Sequence, residues 1–117
     1  MYRLGLCSIT FRKLSPEQIV AACAEAGVKS IEWGGDIHAP HGDVETARRV
    51  GNATRAAGLE VSSYGSYYRA GHSEEKGLAF ASVLDSARAL GAPTIRVWPG
   101  GLPPQKAGDA YYAKIAA

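Results

Sequence analysis

The sequence has no block of like charges and no long apolar run. Thirteen Lys and Arg face eleven Asp and Glu over 117 residues, a formal net charge of +2. So even a balance gives no electrostatic case for a nucleic-acid partner or an anionic membrane surface. No apolar segment approaches the ~20 residues that a membrane-spanning helix needs. Cysteine is scarce, with only Cys7 and Cys23. They fall in a predicted strand and a predicted helix. No charged leader with a long apolar core precedes Leu4-Gly5-Leu6-Cys7. Both cysteines are therefore expected as free thiols in a reducing, cytoplasmic setting.

What is present is ordinary globular material, 46% apolar and 21% charged, enough for one modest domain over residues 1–117. Three segments look alike: Ala24–Ile31, Arg55–Val61 and Arg88–Ile95. Each is a helix tail, then a glycine, a short link and a β-branched strand. Glycine fits just past a helix end, where the backbone turns left-handed. The glycines stand at 27, 58 and 91, roughly one βα unit apart. Alternating β and α elements imply a parallel sheet.

The expected strands are Arg3–Ser8, Ser30–Trp33, Glu60–Tyr64 and Thr94–Trp98. Helix one opens on Ser15 as N-cap, with Pro16 at the first helical position and Gln18 completing a capping box. Its apolar face is Ile19, Val20, Cys23 and Ala26. Helix two is capped by Asp43 and buries Val44, Ala47, Val50 and Ala57. Helix three starts after Ser73 and buries Leu78, Ala81, Leu84, Ala87 and Leu90. A fourth helix begins near Gly108 and Asp109 and runs through Tyr111, Tyr112 and Ile115. The fold class is α/β, a parallel (β/α)4 portion of a TIM (β/α)8 barrel, the N-terminal half. The expectation is that the chain is truncated in the fourth helix: Lys114–Ala117 carries no terminal glycine, and four parallel strands leave two open edges. A flavodoxin-like open sheet fits less well, because Ser8-Ile9-Thr10-Phe11 has no glycine to cradle a phosphate.

Ligands of such folds bind beyond the C-terminal ends of the strands. After strand one, Thr10 reads as a substrate hydroxyl contact with Phe11 as a wall, or as part of an ordinary loop. After strand two, Gly34–Asp43 holds two histidines and two aspartates. Three readings of His38 stay open: metal ligand, polar substrate contact, structural residue. His41 is expected to face solvent. After strand three, tyrosines with Arg69 suit a polyhydroxylated or phosphorylated ligand, or simply pack on their neighbours. Tyr64 is expected to point into the barrel mouth. After strand four, Trp98 offers one side of a sugar pocket, and Gly100 and Gly101 offer backbone N–H groups to a phosphate. Inside the sheet, Glu32 and Arg96 are predicted to face each other, since alternate strands share an interior layer and a buried charge without a partner is costly.

The segments Gly27–Asp43, Gly58–Gly71 and Gly91–Gly100 resemble the xylose isomerase-like TIM barrels, the sugar phosphate isomerases and epimerases. The resemblance spans nearly the whole chain. It implies proton transfer between adjacent sugar carbons with a divalent metal, Mn²⁺ or Mg²⁺, and a sugar or sugar phosphate as small-molecule partner. Metal-binding and catalytic residues of that family come chiefly from strands five to eight, so neither metal ligands nor catalytic residues are assigned in this chain, which alone is expected to be inactive. What the resemblance implies for these residues is a substrate-side wall of His38, Tyr64, Ser66, Arg69 and Trp98. Two alternatives remain: a non-catalytic half-barrel that dimerises or binds sugar, and a phosphodiesterase of the same superfamily resembling abasic-site endonucleases. Three histidines and a charge of +2 argue against the second.

Overall fold

The computed structural model describes all residues from Met1 to Ala117. Four strands, β1 (Gly5–Cys7), β2 (Ser30–Gly34), β3 (Glu60–Arg69) and β4 (Ile95–Trp98), alternate with four helices. The helices are α1 (Pro16–Glu25), α2 (Val44–Ala56), α3 (Phe80–Leu90) and α4 (Asp109–Ala116). The strands form one sheet in the order β1-β2-β3-β4, all parallel. That is the topology of successive βα units wound in one sense. The outer edges of β1 and β4 have no partner strand.

Local chemistry explains the helix ends. Ser15 and Gln18 form the capping box ahead of Pro16. The Asp43 carboxylate accepts from the Thr46 N–H at 3.0 Å. Gly27, Gly58 and Gly91, at the ends of α1, α2 and α3, all adopt positive φ, from +73° to +78°. A side chain there would be strained, so the repeat read in the sequence is a backbone requirement.

One face of the sheet packs under the helices. Ile31, Trp33, Val61 and Tyr64 meet Ile19, Val20, Cys23, Val50, Val83 and Leu90 in one core. The Trp33 indole N–H donates to the Thr54 hydroxyl at 3.1 Å, which in turn donates to the Val50 carbonyl at 2.7 Å. The core thus buries a satisfied polar chain rather than an orphaned donor. Between α2 and α3 the backbones nearly touch. A Cβ on Gly51 would collide with the Leu90 carbonyl, and Arg55 donates to that same carbonyl at 2.9 Å.

Several boundaries differ from expectation. Strand β3 runs on to Arg69 rather than stopping at Tyr64, because its ladder with the neighbouring strands continues: Gly35 N–H donates to Gly65 O and Ala70 N–H to Trp98 O. Helix α3 begins at Phe80, not after Ser73. A single 3₁₀ turn at Glu74–Lys76 comes first, and Gly77 at φ +87° breaks the chain away from helix. Its buried face is Val83, Ser86, Ala87 and Leu90; Leu84 is half-buried and Ala81 exposed. On that face the Ser86 hydroxyl accepts the Gly42 N–H at 2.8 Å. In α2 the last buried position is Thr54, and Ala57 is exposed beyond the helix end. Ala26 likewise lies exposed at the end of α1.

Candidate functional site

The helix-free face of the sheet is polar. Glu32 alternates with the buried Ile31 and Trp33, so it projects from the opposite face. There it gathers three partners. Its carboxylate accepts from Cys7 Sγ at 2.9 Å, from Ser63 Oγ at 2.7 Å and from the Arg96 guanidinium at 3.3 Å. The predicted pairing of Glu32 with Arg96 is present. Burial pushes the Glu32 carboxyl up, but the hydrogen bonds from Cys7 and Ser63 and the Arg96 charge together outweigh it, and the net direction is down. The neighbouring Cys7 thiol is pushed up to about 11, by burial first and by Glu32 next.

A bulge in β3 decides which side chains share this face. Ile31 pairs with Val61 but Glu32 pairs with Ser63, leaving Ser62 as the extra residue. Beyond it Ser63, Gly65, Tyr67 and Arg69 line the open face, while Tyr64, Ser66 and Tyr68 turn toward the helices. At the C-terminal end of the sheet the register of β3 against β4 shifts between Gly65 and Arg69, so Gly65 pairs with Arg96 but Arg69 pairs with Trp98. The Arg69 guanidinium lies 5.4 Å from the Trp98 ring centroid and the Arg96 guanidinium 5.3 Å from it. Arg96 also sits 5.9 Å from the Tyr67 ring. Arg12, from the turn after β1, pairs with Asp36 at 2.6 Å and donates to the Tyr67 hydroxyl at 3.1 Å. Charge, aromatic faces and hydroxyls thus converge at the strand ends, where α/β folds bind ligands.

The five residues expected as a wall divide into two groups. Arg69 and Trp98 come together at the mouth. His38, Tyr64 and Ser66 are buried and committed elsewhere. His38 Nδ1 shares a hydrogen bond with Ser8 Oγ at 2.8 Å and Nε2 meets the Leu14 carbonyl at 3.2 Å. Its ring stands edge-on to Trp33. With both nitrogens used, His38 locks the β1 turn to the β2 loop. The Tyr64 hydroxyl donates to the Ala39 carbonyl at 2.6 Å, and burial pushes its pKa up to about 12. Tyr64 therefore points into the core and not into the mouth. Ser66 donates to the Arg96 carbonyl. His41, expected in solvent, is half-buried: its Nε2 accepts from the Tyr67 N–H at 3.2 Å, and burial lowers its pKa.

The loop after β4 also differs from expectation. The N–H groups of Gly101 and Leu102 converge on one oxygen, at 2.6 and 2.9 Å, but that oxygen is the Tyr111 hydroxyl of α4. The phosphate seat expected there is filled by the protein. Thr10 is exposed. Phe11 turns outward and joins Leu6, Ala22, Cys23, Ala26 and Val28 in an apolar groove of about 290 Å³ beside β1.

The divalent metal implied by the resemblance does not fit the residues of this chain. No three His, Cys, Asp or Glu side chains come together as a ligand set. Glu32 is held by Cys7, Ser63 and Arg96, Asp36 is held by Arg12, and both His38 nitrogens are engaged. The sequence singles out Tyr67 only as one of the tyrosines beside Arg69, and it assigns no role to Arg12 or Asp36. Only the parity of β3 beyond Ser62 reveals Tyr67, and that parity is set by pairing with β2.

By sequence, no family model and no curated protein matches the chain. Its fold matches solved structures. One is a Rhodospirillum rubrum ATCC 11170 protein assigned as a xylose isomerase, at TM-score 0.76 and 18% identity over 99% of this chain and 46% of that one. Another is AsbF of Bacillus anthracis, assigned as the 3-DHS dehydratase of petrobactin synthesis, at TM-score 0.75 and 24% identity over 97% of this chain and 44% of that one. The fold is therefore that of part of a TIM (β/α)8 barrel, and the chain spans less than half the length of these two structures.

Proposed function

We propose that this chain carries the substrate-side part of a site for a sugar or sugar phosphate, in an isomerase or epimerase that moves a proton between adjacent carbons. The observation that carries the reading is the cluster of Tyr67, Arg69, Arg96 and Trp98 at the C-terminal ends of β3 and β4. Indole and phenol faces suit the C–H surfaces of a sugar, and guanidinium forks suit its oxygens. The work of these residues is to bind and orient. Proton transfer and divalent-metal ligation belong, in this reading, to residues outside Met1–Ala117, and these 117 residues alone are inactive. The free thiols of Cys7 and Cys23 support a cytoplasmic setting. The test is incubation of the longest product of the gene with Mn²⁺ and a panel of ketoses and their phosphates in D₂O. Deuterium appearing beside the carbonyl supports the reading. No exchange into any of them removes it.

A second reading is favoured by the unpaired edges of β1 and β4 and the apolar groove beside β1. It is a non-catalytic half-barrel closed by a second copy, giving eight strands about a two-fold axis. Light scattering decides: a stable dimer supports this reading and a monomer excludes it.

A further inference from the structure

The arginines at the mouth are unequally partnered. The chain's ion pairs join Arg3 to Glu60, Arg12 to Asp36, Arg49 to Glu17, Arg96 to Glu32 and Lys114 to Glu75. Arg69 has no carboxylate. Its only hydrogen bond through the guanidinium is to the Gly100 carbonyl at 3.0 Å. Yet it is held over the same indole ring that Arg96 approaches from β4. Two cations about one aromatic ring repel each other, and Glu32 can answer only one of them, with its oxygens already accepting from Cys7 and Ser63. The ring lowers the cost of holding each guanidinium in place but supplies no counter-charge. Arg69 also keeps free N–H donors at the exposed end of the sheet.

We propose that Arg69 and Arg96, both beside the Trp98 ring, form a seat for an anionic group, a phosphate or a carboxylate. Arg69 makes the direct charge-assisted contacts and Arg96 adds field from its place beside Glu32. This inference rests on the sugar-binding reading of the same face and narrows it: the ligand carries its anion at the β3–β4 end. The backbone N–H groups of Gly101 and Leu102 are not that seat, because Tyr111 occupies them.

The chain has two tryptophans, and they make the test internal. Trp98 is 38% exposed at the seat and Trp33 is fully buried in the core. Inorganic phosphate is titrated at constant ionic strength, with chloride as baseline, and both indole N–H resonances are followed. The expected result is a saturable shift of Trp98 with Trp33 unmoved. Arg69→Gln should weaken phosphate binding at least tenfold, and Arg69→Lys less. If the glutamine variant loses the Trp33 signal through unfolding, the lysine variant carries the comparison. A Trp98 signal that ignores phosphate, or follows chloride equally, overturns the seat, as does Arg69→Gln binding like the native chain. D-ribose and its 5-phosphate separate the two ideas. Ribose binding as tightly as its phosphate overturns the anion seat and leaves the sugar reading standing. Inorganic phosphate binding as tightly as ribose 5-phosphate, with no response to ribose, supports the seat and removes the sugar reading.

Discussion

The Glu32 carboxylate on β2 and the Arg96 guanidinium on β4 meet at 3.3 Å across the strand that lies between them. They can do so because the intervening β3 residue is Gly65. A Cβ there would stand 2.9 Å from the Arg96 guanidinium and 3.0 Å from the Glu32 carboxylate. A side chain there would crowd the pair and make one of its two ends shift, so the glycine is a spacer inside a strand rather than a strand breaker.

Replacing Glu32 by Gln should destabilise the fold by about 1–2 kcal/mol at neutral pH, since it leaves Arg96 without its counter-charge. The Glu32 carboxyl titrates below its ordinary value in the folded chain. A folded pKa below the unfolded one makes its contribution complete above the unfolded value, about 4.3. The contribution is lost as pH falls through the folded value. The gap in unfolding free energy between native and Glu32→Gln should therefore shrink from about pH 5 downward. Urea unfolding at several pH values checks this; a gap that stays constant to about pH 3 contradicts it.

Cys7 is exposed, but its thiol titrates at about 11 because of partial burial and the bond to Glu32. Alkylation requires the thiolate. Iodoacetamide should therefore modify Cys7 slowly at pH 8, with a rate profile rising toward a midpoint near 11. In Glu32→Gln the midpoint should move down. A native midpoint near that of a free thiol, about 8.5, would show that the contact with Glu32 is not maintained in solution.

Thr54→Val keeps the shape of the side chain but removes the acceptor for the buried Trp33 indole N–H. An unsatisfied buried donor costs about 1–3 kcal/mol. The variant should lose that much stability, and the Trp33 indole proton should exchange faster with solvent. Unchanged unfolding midpoint and exchange rate would rule out the bond.

Gly51 sits inside α2, where alanine would ordinarily gain about 1 kcal/mol in helix propensity. Here the new methyl would meet the Leu90 carbonyl, which is backbone and cannot swing aside. Overpacking of that kind costs about 1–3 kcal/mol, so Gly51→Ala should lower the thermal midpoint. A raised midpoint would mean that α2 and α3 separate more easily than their packing implies.

The elements themselves were legible because each depends on neighbours in sequence. The Ser15 capping box, the Asp43 cap and the glycines at 27, 58 and 91 act over three or four residues. The Glu32–Arg96 pairing was legible for another reason: two charges embedded in apolar strands on the same layer have few other partners. The start of α3 was not, because Gly77 breaks the run by backbone conformation while the apolar spacing continues past it.

The wall residues show where sequence stops. A strand alternates faces every residue, so an unbroken count from the buried Val61 sends Tyr64 and Ser66 to the open face. The bulge at Ser62 reverses that count. Tyr64 and Ser66 go into the core, and Tyr67 and Arg69 reach the mouth beside Trp98. Sequence alone determined the βα repeat, the caps and the polar layer of Glu32 and Arg96, all consequences of local spacing and of the cost of burying charge. Tertiary structure alone decided which strand-end side chains share the site. That choice lies in the registers of β3 against β2 and against β4, set by hydrogen bonds between residues some thirty positions apart.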